Sequence, residues 1–449
     1  MNEPNKNSPS RPATSRRELL ALTAAAATGV NLLSSACASS SAAGLKVAKG
    51  QTRPTPSPDQ PLKIGIVGIG PDTTPAMGYG HLASICSLAK AGREKVQIVA
   101  VCDVAKPCMQ RGVERASKEQ GIAVEGYTDY VKMLERDDLN GVLVATPEHW
   151  HSKMSIDALM AGLDVYCEKP MTLNLDQALA LRAVATANSD KMFQCGTQFL
   201  QHRKYHKAKE LIRSGAIGAP TFTQTSYCRN NKSGEWLYGV KPEITPGANL
   251  DWGAWCGPMG EAAWDPKVFH QWRRYRKWST GIVGDLLVHV TSPLVWALDM
   301  GWPTRVVAIG GHYHDKAMEN HDQVNLTVEF EKGHTLTIAG STCNETGVEI
   351  LVRGHKANLY LGGNDCILRP EREFAEEIDE QSFQSGDLGI GDQDLHRLDW
   401  FASMRSRKAP IGDVETATKV MVIVDLATRS MWDRASWSFD PATLSARRA

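Results

Sequence analysis

The chain has 449 residues, enough for two or three domains of roughly 150 each, and 42% are hydrophobic, so a sizeable core is available. Basic and acidic side chains balance at 50 each, which excludes the one-signed field that gathers nucleic acid or an anionic membrane surface. Outside the N-terminal leader no apolar run reaches the ~18 residues of a spanning helix, so the mature protein is expected to have no transmembrane segment.

The leader comes first. Ser15-Arg16-Arg17-Glu18-Leu19-Leu20 opens a mild Ala/Leu/Thr stretch that reaches Leu33, and paired arginines ahead of weak hydrophobicity mark twin-arginine export. Ala36-Cys37-Ala38 fits a small-residue cleavage site, so residues 1–38 are read as a signal peptide and the protein is expected in the periplasm. Acylation of Cys37 is the alternative, weakened by Ser34 where a leucine is usual. Residues 39–60, rich in Ser, Ala and Pro, read as a flexible linker. The sequence has ten cysteines; beyond the leader they are scattered singly with no C-x-x-C pair, as small core residues rather than a disulfide framework or zinc site.

From Leu62 strands and helices alternate. Leu62–Gly68, Val96–Cys102, Leu139–Ala145, Asp164–Cys167 and Lys191–Cys195 read as strands. His81–Ala91, Met109–Glu119, Ser152–Ala161 and Asp176–Asn188 read as helices. This order predicts a parallel sheet with helices on both faces over residues 61–197. Beyond about residue 200 the strands Pro220–Tyr227, Arg305–Ile309, Gln323–Glu329, His334–Ala339, Val348–Val352 and Asn358–Tyr360 follow one another. They predict a second α/β domain, 198–449, with a large, mostly antiparallel sheet, long Trp/Pro/Gly loops around 229–280, and a closing helix near Thr416–Trp432.

The stretch "GIVGIGPDTTPAMGYGHL" (Gly65–Leu82) supplies Gly68 and Gly70 of a dinucleotide-binding G-x-G-x-x-G, but Thr73 replaces the third glycine. An insertion, "PDTTPAM", accounts for the gap if Gly78 and Gly80 serve as the later small positions and His81 opens the helix whose N-terminus faces a pyrophosphate. Asp103, at the end of the second strand, is placed to accept from ribose hydroxyls, which favours NAD without excluding NADP. The histidines of "GHYHDKAMENH" (His312, His314, His321) read as a solvated loop, and no metal is expected.

Two further motifs, "VLVATPEHWH" (Val142–His151) and "AGLDVYCEKPMTLNLDQA" (Ala161–Ala178), resemble the glucose–fructose oxidoreductase/inositol dehydrogenase/MocA family. "LDWGAWCGP", "GDLLVHVTSPLVWAL" and "RSRKAPIGDVETA" are similar to its exported, twin-arginine branch, and the resemblance runs from Leu62 to Pro441. It implies a Rossmann domain, a second domain whose open sheet often joins subunits into a homo-oligomer, and NAD(P)-dependent hydride transfer on a sugar, polyol or sugar derivative with tightly held cofactor. The catalytic group implied is Lys169, Asp285 and His289: the lysine polarises a hydroxyl and the histidine takes its proton. A helix puts Asp285 and His289, four apart, on one face. Cofactor contacts are implied for Gly68, Gly70, Gly80, Asp103, Thr146, Pro147, His151, Glu168, Lys169 and Gln198, and substrate contacts for Trp272, Arg273, Lys169 and His289. Departures are Ser292 where the family often has a second acid, Leu287 where it often has glycine, and Pro293, expected to end or kink the helix near Ser292. Some relatives instead cleave glycosides by transient oxidation with no net redox change, so that reading stays open.

Overall fold

A computed structural model of the chain describes residues 49–53, 57–386 and 388–449. The signal peptide reading, Cys37 and most of the linker lie outside the described residues. Six short strands come first: β1 (Leu62–Val67), β2 (Val96–Cys102), β3 (Glu125–Tyr127), β4 (Gly141–Val144), β5 (Asp164–Cys167) and β6 (Phe193–Cys195). They pair in parallel in the order β3-β2-β1-β4-β5-β6. In β1 and β2 all but one position each is buried, as expected of strands covered on both faces. The covering helices are α1 (Met77–Lys90), α2 (Lys106–Gln120), α3 (Tyr130–Leu134), α4 (Glu148–Met160) and α5 (Leu175–Ala187). Strand order reverses between β1 and β4, and an open parallel sheet takes its ligand in the crevice at that point.

After α6 (Arg203–Arg213) the chain enters the second sheet with β7 (Pro220–Cys228), then runs through α7 (Trp252–Cys256), α8 (Pro266–Gln271) and α9 (Val288–Leu298). The sheet resumes with β8 (Pro303–Gly311), β9 (Gln323–Phe330), β10 (Thr335–Ser341), β11 (Leu351–Gly354), β12 (Ala357–Tyr360), β13 (Asp365–Pro370) and β14 (Gln381–Gln384). Two helices, α10 (Asp392–Ser406) and α11 (Val414–Asp433), precede β15 (Trp437–Asp440) and β16 (Ser445–Arg448). The ten strands lie in the order β14-β13-β12-β11-β7-β10-β9-β8-β15-β16, antiparallel except for the β7/β10 pair. Along β9, Val324, Leu326, Val328 and Phe330 are buried while Asn325 and Thr327 are exposed. One face of the sheet is therefore core and the other open.

Three sequence expectations need correction. Helix α1 starts at Met77, not His81; two glycines in its first turn, poor helix formers, hid the start. Pro293 lies inside α9, which continues to Leu298. There the Thr291 and Ser292 hydroxyls donate to the carbonyls of Leu287 and Val288, so the hydroxyls beside Pro293 bond back to the preceding turn. Helix α10 went unread because three of its buried residues, His396, Arg397 and Ser403, are polar and break the apolar stripe. It carries Trp400, Phe401 and Met404 into one cluster with Leu62, Ile64 and Leu82 of the first domain.

The segment 229–280 also reaches back. Lys106 donates its backbone N–H to Asn249, and Asp251 donates to Val104, placing this segment over the end of β2. Further along, the Trp255 carbonyl accepts from His149 Nε2 at 2.8 Å and Trp150 Nε1 at 2.9 Å. Trp252 and Trp255 stack at 4.6 Å, and Trp278 packs on Trp255.

Candidate active site

One cleft of about 440 Å³ lies at the carboxyl ends of β1 and β4. Gly68, Gly70, Ala76, Met77, Asp103, Thr146 and Pro147 form one part of its wall, and Lys169, Trp272 and Arg273 another. Gly68 has φ +89° and Gly70 φ +70°, a region open to glycine at little steric cost. A side-chain carbon on Gly68 would lie 2.7 Å from the Thr146 nitrogen, and one on Gly78 would run into the Gly68 carbonyl. Gly78 thus takes the close-packing role that the sequence motif assigns to a third glycine. Gly80, expected to share it, meets only open space.

This end fits a dinucleotide on three observations. Ala76 gives α1 no side-chain cap and no acidic residue occupies its first turn, so the unpaired N–H groups and positive dipole end remain for a phosphate. The Thr146 hydroxyl is buried without a partner among the described residues. Asp103 accepts the N–H groups of Ile69 and Gly70 on one oxygen and that of Ala105 on the other. Its carboxylate therefore shapes the glycine turn while lining the cleft. In the insertion, Asp72 pairs with Lys241 at 2.7 Å, joining the nucleotide loop to the second domain.

The other end is built from charges. The Lys169 ammonium donates to the carbonyl and to Oδ1 of Asp285, both at 2.8 Å, and Arg273 Nε donates to the same Oδ1 at 2.8 Å. Burial opposes ionisation of Asp285, but the Lys169 and Arg273 cations outweigh it and hold its carboxyl far below the usual range. Asp285 sits in a π-helical turn, Val283–Leu287, that joins α9; such turns recur at functional sites. Trp272 lies under the Arg273 guanidinium at 4.2 Å. Glu168 is buried beside Lys169; burial alone raises its pKa, but the His81 hydrogen bond and the Lys169 ammonium outweigh it and hold the carboxyl below its ordinary value.

His289 follows on α9 but is not among the residues lining the cleft. Its ring packs on Phe199 at 5.2 Å and Tyr227 at 6.0 Å, and Nδ1 is buried without a partner among the described residues. Asp285 is committed to the two cations, so the expected pairing of that carboxylate with the histidine is absent among the described hydrogen bonds. Burial and then the Lys169 ammonium push His289 down to about 3, leaving it neutral at pH 7.

Two other expected contacts are placed elsewhere. His151 is buried with Nδ1 2.6 Å from the Pro170 carbonyl and Nε2 2.8 Å from the Thr146 carbonyl, so it braces two cleft-lining loops from behind. Gln198 opens a 3₁₀ turn, Gln198–Gln201, and does not line the cleft. The residue sequence reasoning missed is Glu148, fully buried. Its oxygens accept from the Ser279 hydroxyl at 2.6 Å and from the Thr280 N–H and hydroxyl at 2.9 and 2.8 Å. It thereby grips the turn that leads into the Asp285 segment. An acid between Pro147 and His149 is visible in the sequence, but its partners lie more than a hundred residues on.

Residues 62–197 match the model of the Gfo/Idh/MocA oxidoreductase family's NAD-binding Rossmann fold, and residues 261–437 match that of its C-terminal α/β domain. The chain belongs to this family. Its first domain is therefore the family's NAD-binding domain, and the segment 198–260 falls between the two matches. An inositol 2-dehydrogenase of Salmonella typhimurium is 28% identical over 159 residues, covering 35% of this chain and 44% of that enzyme. An α-N-acetylgalactosaminidase of Shewanella oneidensis is 24% identical over 192 residues, 39% of each chain. The chain thus matches under half the length of these curated relatives. Among solved structures, a levoglucosan dehydrogenase in complex with NADH and levoglucosan superposes with a TM-score of 0.64 at 17% identity, over 84% of this chain and 99% of that one. An oxidoreductase domain protein from Kribbella flavida gives 0.64 at 18%, with the same coverage. At these identities the likeness to the two solved structures is one of fold.

Proposed function

We propose that the protein is an NAD-dependent oxidoreductase acting on the CH–OH group of a sugar, polyol or sugar derivative. The observation that carries this is the convergence of Lys169 and Arg273, both in the wall of the NAD cleft, on one buried carboxylate, Asp285. When bound, NAD supplies the acceptor for hydride. Lys169 uses two of its three N–H donors on Asp285, and the third, without a partner among the described residues, can donate to the reacting hydroxyl oxygen. A donor fixed there stabilises the charge that grows on oxygen as its proton leaves. Neutral His289, beside Lys169 though not in the lined wall of the cleft, is assigned that proton on the family resemblance. Asp285 holds the ammonium in place and offsets its charge. Trp272 and Arg273 provide a ring face and a fork of donors suited to a carbohydrate.

The test is a panel with purified protein. NADH formation from myo-inositol, levoglucosan or related polyols is the expected result, lost in Lys169→Ala. Aglycone release from a nitrophenyl α-N-acetylgalactosaminide without added NAD would favour the redox-assisted glycosidase reading, which the Shewanella relative keeps in view. Neither product from a broad panel would sink both readings.

Three subsidiary proposals accompany this. The cofactor is tightly held, because Asp251, Ala254, Trp255 and Phe269 of the second domain wall the cleft opposite the glycine loop. Mass spectrometry of denatured protein should release NAD. Residues 1–38 direct export by the twin-arginine route to the periplasm, with Cys37 as the alternative lipid anchor; Arg16→Lys/Arg17→Lys should retain the protein in the cytoplasm. The open face of the large sheet, where β8 exposes Val307 and Ile309, joins subunits into a homo-oligomer, which light scattering would register as mass.

A further inference from the structure

Behind the lysine end lies a second buried polar chain that the proposed reaction does not use. Arg397, on α10, is 1% exposed, and His81, on α1, is equally buried. Arg397 Nε donates to His81 Nδ1 at 2.7 Å, and His81 Nε2 lies 2.7 Å from Glu168 Oε1. The remaining guanidinium nitrogens donate to Asp394 Oδ1 at 2.6 Å and Gln393 Oε1 at 3.3 Å. Glu168 Oε2 accepts the backbone N–H of Lys169 at 3.2 Å.

The chemistry of the donors fixes where the proton sits. A guanidinium has no acceptor and keeps its charge, so Nδ1 of His81 must offer its lone pair and carry no hydrogen. The single ring proton is then on Nε2 and donates to Glu168. A protonated ring would set N–H against N–H at Arg397, so the imidazolium is excluded. The groups facing His81 agree: Arg397 opposes a further positive charge, Glu168 takes the one hydrogen offered, Asp394 balances the guanidinium, and the Tyr166 ring meets the imidazole edge-on at 5.2 Å. His396, which meets Tyr166 edge-on, donates its Nε2–H to the Cys195 carbonyl, is held neutral by burial, and makes no hydrogen bond to His81.

We propose that Arg397 is a positioning residue for the lysine end of the site: its hydrogen bond fixes the Nε2–H tautomer of His81, and this holds the Glu168 carboxylate against the backbone of Lys169. Three elements distant in sequence are thereby locked together, namely the nucleotide helix α1, the Glu168-Lys169 turn and α10. A hydrophobic side chain would fill the space without the desolvation that a buried guanidinium suffers, and it would leave the histidine free to turn. The inference rests on the role proposed for Lys169 only in its effect on rate; the tautomer stands apart from it.

The experiment uses the full chain labelled with ¹⁵N at histidine, with the His81 signal assigned by its loss in His81→Asn. The expected spectrum shows an Nε2-protonated neutral ring that does not titrate between about pH 5 and 8, where an unperturbed histidine would. A ring protonated on Nδ1, or a cation in that range, would overturn the proposal whatever the variants do. Glutamine places its amide nitrogen the same number of bonds from Cα as the arginine Nε. Arg397→Gln should therefore keep the tautomer and most of the turnover on the best substrate of the panel. Arg397→Leu should release the tautomer and lower kcat about tenfold, the scale of a small misplacement of a reacting group, with KM and NAD affinity unchanged. Equal losses in both variants with the tautomer preserved would reduce Arg397 to a packing role. Full activity in Lys169→Ala would instead remove the reading of the reaction and leave the tautomer result intact.

Discussion

At the nucleotide end of the cleft, the glycine turn is held by an aspartate 34 positions away, through backbone N–H groups. At the lysine end, Lys169 meets Asp285 across 116 positions and His81 meets Arg397 across 316, and these two long-range contacts join charged or titratable side chains. The first is a matter of local backbone shape, which needs small residues in the right conformations. The second is a matter of charge placed by tertiary structure, and it exists only when the two domains are packed. The difference teaches that binding and chemistry in this protein should fail separately.

The largest effect expected is at the lysine. Lys169→Ala should lower kcat about 10³-fold, as removal of one fixed donor does, while titration calorimetry finds NAD affinity within twofold of the parent. A large loss of NAD affinity would erase the distinction between the two ends. His289→Gln should lower kcat about 10²-fold, the usual worth of a positioned base, again at constant affinity. Gly78→Val is the reverse experiment. A side chain driven into the Gly68 carbonyl should abolish NAD retention in the purified protein, seen by mass spectrometry, and retained NAD would show that the helix start tolerates what the geometry forbids. Arg273→Lys keeps the charge beside Asp285 but gives up the planar fork, and should lower kcat/KM about tenfold.

The smallest effect expected is on stability and involves both ends. Burial holds His149 and His396 down to about 4 and His289 to about 3. The unfolded chain binds these protons from about pH 6.5 downward and the folded one does not. Stability from these groups is thus complete above pH 6.5 and is lost as pH falls through the window to 4. Glu148, pushed up to about 7 by burial, works in the opposite sense between about 4.5 and 7, and burial raises Asp103, Asp164, Asp399 and Asp425 too, but burial also lowers His81, His151, His270, His321 and His334, so the histidines are the larger set. Calorimetry should find Tm falling by a few degrees between about pH 6.5 and 5; a rising Tm would contradict the buried neutral rings.

The parallel sheet was legible in five of its six strands because they are buried and mostly apolar; β3, the exposed Glu125–Tyr127 at the sheet edge, carries no such run and went unread. Gly68, Gly70, Asp103 and the Glu168-Lys169-Pro170 turn could be read in place for the same reason: their surroundings are close in sequence. What sequence could not supply was pairing at a distance. Asp285 and His289 looked like partners because they stand four apart, yet the π-helical turn and two cations from other segments claim the aspartate. Glu148 and Arg397 were invisible as site residues because a buried charge has no periodic signature. They can be recognised only through Ser279, Thr280 and His81, which the fold brings to them.

One consequence follows from the carbonyl of Trp255, which receives both His149 and Trp150. The wall it anchors is made by chain that leaves the ribosome only after the whole parallel sheet has done so. A nucleotide meeting the first domain early finds a shallow bay; one meeting the finished protein finds a vault. On the proposal that NAD is tightly held, its retention in a purified sample should report that the second half of the molecule has docked.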